Sequence, residues 1–166
     1  MTENIVNFFI DLFSGINKDI VVFIISMMPI LELRGGLLAA SILNIPLVRA
    51  LIICIIGNVL PIPFVLLFIE WIFSLLEKFK PTKKIVKWLK NKVMKKSDNI
   101  KKYGYVGLIL FVGIPLPGTG AWTGALLAVL LNLDKKKSFI CILAGVFLAS
   151  IIMTIISYGF IGNLIR

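Results

Sequence analysis

Pro29-Ile30-Leu31-Glu32-Leu33-Arg34-Gly35-Gly36 and Pro115-Leu116-Pro117-Gly118-Thr119-Gly120-Ala121-Trp122-Thr123-Gly124 decide how this chain is read. Each breaks a long apolar stretch with prolines, glycines and polar side chains. A shift of 88 positions relates them: Pro29 falls on Pro117, Gly36 on Gly124, Leu38 on Leu126, Ala40 on Ala128, Leu43 on Leu131, Asn44 on Asn132 and Gly57 on Gly145. Interrupted hydrophobic segments at corresponding places in two halves of a chain are the sequence mark of a substrate site near the bilayer midplane.

Composition agrees with a membrane setting. Of 166 residues, 59% are hydrophobic and the mean hydropathy is +1.02, where soluble domains carry roughly 45–50% apolar residues. One domain is expected at this length. Eleven of the 18 basic residues are lysines between Lys78 and Lys102. The positive charge is therefore a local block, as beside membrane spans, and no nucleic-acid partner is expected. Cys54 and Cys141 are lone cysteines in apolar runs and read as small core residues. The chain has no histidine, which removes zinc motifs and the Ser-His-Asp triad together. With no G-x-S-x-G elbow and no paired carboxylates, neither an enzyme nor a cofactor is expected.

Residues 1–15 lack the positive n-region and small-residue cleavage site of a signal peptide. Ile5, Phe8, Phe9, Leu12 and Phe13 instead share one helical face, predicting an interfacial helix over 2–14. Residues 47–70 and 139–162 are each 24 long, about 36 Å as helix against a hydrocarbon core of roughly 30 Å, and both should span. Pro61 and Pro63 should kink the first span or end its straight part.

The stretches 20–45 and 103–133 fit either a span or a re-entrant hairpin. Arms 20–31 and 35–45 measure about 18 and 16 Å, each near half the core. Charge favours the hairpin. If 103–133 crossed fully, Lys135, Lys136 and Lys137 would lie opposite the large lysine block, against the positive-inside rule. As a hairpin it leaves fourteen of the 18 basic residues on the cytoplasmic side. The expected fold is an all-α integral membrane protein of the cytoplasmic membrane, with an inverted repeat of hairpin plus span. Repeat 1 covers about 20–76 and repeat 2 about 103–164, joined by a basic cytoplasmic linker over 78–102, all within one membrane domain, 1–166. The linker helix, about 82–96, should put Ile85, Trp88, Leu89 and Val93 on one face, lie on the cytoplasmic leaflet and bind anionic headgroups.

Glu32 and Arg34 are the sole charges between Asp19 and Arg49. A charge at bilayer depth costs at least about 2.5–3.5 kcal/mol. Either the pair is structural, by mutual neutralisation or by bonding backbone at the other tip, or it faces a water-filled cavity. In the second case Glu32 exchanges a proton and Arg34 holds an anion. Gly35, Gly36, Gly118 and Gly120 allow φ > 0 and close backbone approach. The returning arms begin there, so two helix N-termini should favour a phosphate or carboxylate. Thr119 and Thr123 offer hydroxyls, Pro117 ends the descending arm, and Trp122 either stacks on a ligand or packs the hairpin. Asn58 either bonds across helices or lines a path.

Pro29-x-x-Glu32-x-Arg34-Gly35-Gly36, Gly57-Asn58-x-x-Pro61-x-Pro63 and Ile114-Pro115-Leu116-Pro117-Gly118-Thr119-Gly120-Ala121-Trp122-Thr123-Gly124-Ala125 together resemble the small multidrug export protein family, from about residue 20 to 160. That family is similar in turn to the DedA/VTT superfamily. The resemblance implies paired re-entrant hairpins, membrane-potential- or proton-dependent transport and movement of phospholipids or polyprenyl phosphates between leaflets. The expected function is a DedA-like, proton-coupled transporter moving an anionic lipid or small amphipathic substrate. The alternative is a membrane-remodelling or assembly protein whose basic helix recruits partners. Membrane lipids are the expected partners, and because two spans bury little surface, so is a second copy in a dimer.

Overall fold

The structure is a computed structural model describing residues 17–161, and the expected helix 2–14 lies outside them. Every regular element among the described residues is helical. The helices are α1 (Lys18–Met27), α2 (Glu32–Ile42), α3 (Leu47–Val59), α4 (Ile62–Leu76), α5 (Lys80–Met94), α6 (Asp98–Gly113), α7 (Ala121–Leu130) and α8 (Lys135–Thr154). A π-helical segment, Ile155–Ile161, continues α8.

Local chemistry sets these bounds. The Asn17 side chain accepts the Asp19 N–H at 3.0 Å to start α1, and Asp134 accepts the Lys137 N–H at 2.8 Å to start α8, as side-chain N-caps do. Asn44 and Asn132, which align under the 88-residue shift, take φ of 55° and 54°. This is a left-handed position that Asn tolerates after a helix. In both copies the next residue donates back across the turn at the same distance, Ile45 to the Ala40 carbonyl and Leu133 to that of Ala128, each 2.9 Å. Pro61 and Pro63 divide the first span into α3 and α4, because neither ring can donate to the preceding turn. The two parts still form one apolar stretch, Leu47–Leu76, and Lys135–Gly159 forms a second. These are about 45 and 38 Å long, enough to cross a bilayer.

Two helix-tip-helix hairpins precede these long segments. α1 packs on α2 and α3, and α6 packs on α7 and α8. The halves meet where α2 and α3 lie on α8, and α4 on α7. Small residues make the contacts close. A Cβ on Gly57 would stand 2.9 Å from the Phe23 carbonyl oxygen, and one on its counterpart Gly145 would stand 2.9 Å from that of Ile109.

Polar contacts place both feet of each hairpin at one end of the bundle. Lys18 donates to the Leu43 carbonyl at 3.3 Å and Arg49 pairs with Asp19. Tyr158 donates to the Ile45 carbonyl at 2.9 Å, bringing the far end of α8 there too. At the opposite end the Asp134 N–H reaches the Tyr105 hydroxyl at 3.2 Å. Lys135 lies 3.8 Å from Glu70, so the lysines that open α8 sit beside the end of α4.

The basic helix differs from expectation. Val86 and Val93 are buried and Leu89 half-buried, whereas Ile85 and Trp88 are exposed. The predicted apolar face is split because α5 is not free: its Val86–Val93 stripe packs into the protein core and α5 contacts both α4 and α7.

Overpacking typically costs about 1–3 kcal/mol. Gly57→Val and Gly145→Val should therefore each lower the thermal unfolding midpoint in detergent, and to similar extents. A variant melting like the wild type would show that its glycine is not a close-packing point.

Candidate functional site

The two tips bond to each other, and charged side chains do most of the work. Glu32 opens α2 with its own backbone at φ 51°, in the left-handed region. This conformation is costly for a residue with a Cβ and persists where surrounding contacts hold it. Its buried carboxylate crosses to the second hairpin. Oε2 accepts the Ala121 N–H at 3.0 Å and Oε1 the Trp122 N–H at 3.1 Å. These amides are at the first turn of α7, where a helix has unpaired donors and a positive dipole end.

Arg34 crosses in the same direction to the other side of that tip. Nη1 donates to the Leu116 carbonyl at 2.7 Å. Nη2 donates to the Ile114 carbonyl at 3.1 Å and to Thr119 Oγ1 at 3.0 Å. Carbonyls just past the C-terminus of α6, which also accept from Leu116 and Thr119 within the tip, thus meet a cation, while the N-terminus of α7 meets an anion. Trp122 returns the contact, its indole N–H donating to the Met27 carbonyl at the end of α1, 3.1 Å away.

Glycine makes this closeness possible. Gly118 and Gly120 have φ of 74° and 135°, and a Cβ on Gly120 would collide with the Glu32 carboxylate. Gly35 and Gly36 are different. They sit within α2 with no positive φ, and Gly36 packs on Ser26 of α1 and Cys54 of α3. The left-handed residue at the first tip is Glu32, not a glycine. The expected anion-friendly helix ends also need correction: the leading amides of α7 already hold Glu32. Nor do Glu32 and Arg34 close on each other in a side-chain ion pair; each bonds the opposite hairpin.

Beside the tips lies a cleft of about 610 Å³. Glu32, Arg34, Pro117, Gly118, Thr119, Trp122 and Thr123 line it, whereas Gly35, Gly36 and Asn58 do not. Asn58 is buried, and its Oδ1 has no hydrogen-bond partner among the described residues. The sequence reading missed Lys92 and Lys96, which line the cleft from α5 and the turn after it. Their signal was the row Trp88, Lys92, Lys96 at i, i+4, i+8, one stripe of a helix. Reading the lysines of α5 only as contacts for anionic headgroups hid it.

Long apolar helices joined to hairpins whose broken ends are paired inside the protein define a helical membrane protein. Within that class the chain belongs to the family described as "Putative small multi-drug export protein", which matches residues 32–152. The match begins at Glu32 and takes in Arg34, the whole second tip, the first long apolar segment and most of the second. No curated protein and no solved structure matches the chain.

Orphaning a buried N–H costs about 1–3 kcal/mol. Glu32→Ala removes the acceptor of two, and Gly120→Ala forces the same carboxylate away. Each substitution should lower thermal stability in detergent by about 2–4 kcal/mol. Because both break one contact, the double variant should lose clearly less than their sum. Additive losses would mean that Gly120 matters for its backbone conformation alone.

Proposed function

We propose that this protein is a proton-coupled transporter of the cytoplasmic membrane in which both hairpins are re-entrant and related as an inverted repeat. In this reading the end bearing residues 43–49 faces outward and the end bearing Glu70 and Lys135 faces the cytoplasm. What supports the re-entrant reading is that both feet of each hairpin share one end of the bundle. The asymmetry of the lysines supports the orientation. Kinship of the family with the DedA/VTT superfamily is part of the same proposal.

The observation that carries the mechanism is the crossed latch at the tips, Glu32 on α7 and Arg34 on the end of α6. An ionised carboxylate accepts from two amides at once; protonated, it carries a donor and accepts less well. Proton uptake by Glu32 therefore loosens the hold of α2 on α7 and lets the hairpins rock apart, opening the cleft. Deprotonation restores the latch. The substrate is an anionic lipid or small amphipathic molecule, moved across the membrane or between leaflets without an enzymatic step.

Leaflet exchange of a fluorescent anionic phospholipid in proteoliposomes tests the mechanism. Wild-type exchange should rise as the pH is lowered. Glu32→Gln should abolish that dependence and Arg34→Ala should reduce the rate at least about tenfold, the effect of losing roughly 1.4 kcal/mol. Exchange by Glu32→Gln with wild-type rate and pH response would remove Glu32 from coupling. Single-cysteine labelling tests the topology. In a Cys54- and Cys141-free background, Lys18 and Asn44 positions should react from one side of the membrane and Tyr103 and Lys136 positions from the other. Reaction of Lys18 and Asn44 positions from opposite sides would make that hairpin a full crossing.

A further inference from the structure

The helix expected to lie on a leaflet also walls the cleft, and it brings charge. Lys96 donates to the carbonyls of Pro117 at 3.2 Å and Gly118 at 2.8 Å, directly on the second tip. An ammonium has three donors, so one remains for another acceptor. Lys92, one turn earlier, stands 4.6 Å above the Trp88 ring and lines the same cleft.

The charges there do not balance. Arg34, Lys92 and Lys96 contribute three positive charges and Glu32 one negative charge, and the Glu32 oxygens are turned onto the α7 amides. Hydrocarbon also lines the cleft: Val65, Ile69 and Phe73 of α4, with Leu126 of α7. A cation entering this space meets net repulsion, whereas an anion meets lysine ammoniums able to form charge-assisted hydrogen bonds. A ligand that also has an apolar tail can lay it along α4.

We propose that Lys92 and Lys96 form the headgroup clamp of this cleft and that its ligand is an amphipathic anion, a phosphate-type head carrying an apolar tail. The inference rests on the transporter reading for its place in a cycle, but the site itself is defined by binding and needs no transport. α5 is then part of the binding site, and the strap from Lys96 to Pro117 and Gly118 ties ligand capture to the tip that Glu32 and Arg34 hold.

The test is equilibrium binding to the full chain in an uncharged maltoside detergent, read by tryptophan fluorescence. A Trp71→Phe background leaves Trp88 and Trp122, both at the cleft. The probes are dodecyl phosphate, dodecyltrimethylammonium and inorganic phosphate. Dodecyl phosphate should bind at least about tenfold tighter than the cation of equal tail length. Lys92→Gln should weaken it about three- to tenfold, as expected for one charged hydrogen bond in a partly open site. Lys96→Gln should weaken it further. Lys83→Gln with Lys87→Gln, which removes two positive charges, one more than Lys92→Gln, from positions off the cleft, should leave it unchanged.

Because Lys96 also braces the tip, Lys92→Gln is the deciding variant. Equal or tighter binding of the cation would overturn the proposal, as would a loss in the Lys83/Lys87 control matching that of Lys92→Gln. Displacement of dodecyl phosphate by an equal concentration of inorganic phosphate would overturn the amphipathic part and make the ligand a free anion. Anion binding that depends on Lys92, found together with an absence of leaflet exchange, would sink the transporter reading and leave the clamp standing.

Discussion

A helix broken inside a protein exposes unpaired carbonyls on one side of the break and unpaired amides on the other, and this protein breaks two. The carbonyls of Ile114 and Leu116 meet the Arg34 guanidinium, and the amides of Ala121 and Trp122 meet the Glu32 carboxylate. The two amides have no other acceptor among the described residues, and burying them without the carboxylate would be costly, whereas the two carbonyls also accept from Leu116 and Thr119 within the tip. Two charges set two residues apart satisfy both faces of one break, and their signs complement the helix dipoles. The rest of the tip follows: Gly120 leaves space for the carboxylate, Gly118 turns the chain, and Trp122 fastens the first hairpin in return.

The two halves share scaffolding and differ in chemistry. Asn44 and Asn132 turn the chain alike, and Gly57 and Gly145 admit a neighbouring backbone alike. The tips, by contrast, have divided their labour. The first supplies the charged side chains, and the second supplies most of the backbone groups that they meet. That asymmetry makes the contact a natural point of control in the proposed cycle. The tips are bound through a few hydrogen bonds, and one of those acceptors can take up a proton.

Much of this was legible in the residues. The 88-residue shift, the helix breaks at Pro29 and Pro115, the proline interruption at Pro61 and the isolation of Glu32 and Arg34 are all local signals, and the structure places helices and tips accordingly. Thr119, Trp122 and Thr123 line the cleft. Gly35 and Gly36 do not, because a glycine run marks close packing and φ freedom equally well. Here it serves packing against Ser26 and Cys54, while Glu32 takes the positive φ. The two readings of Glu32 and Arg34 could not be separated either, since the partners are mostly backbone atoms, 80 to 90 residues away, and backbone atoms leave no trace in composition.

The chain by itself determined the all-helical class, the two long apolar segments and the location of the breaks, because periodicity, proline chemistry and the cost of charge among apolar residues act along a few consecutive residues. Tertiary structure decided what α5 does. Its Val86, Leu89 and Val93 stripe and its Ile85 and Trp88 pair were equally apolar on a helical projection. Only packing against α4 and α7 shows which is buried, and with it that Lys92 and Lys96 turn toward the tips. Which face of an amphipathic helix meets protein depends on neighbours distant in sequence, and those are fixed when the hairpins dock.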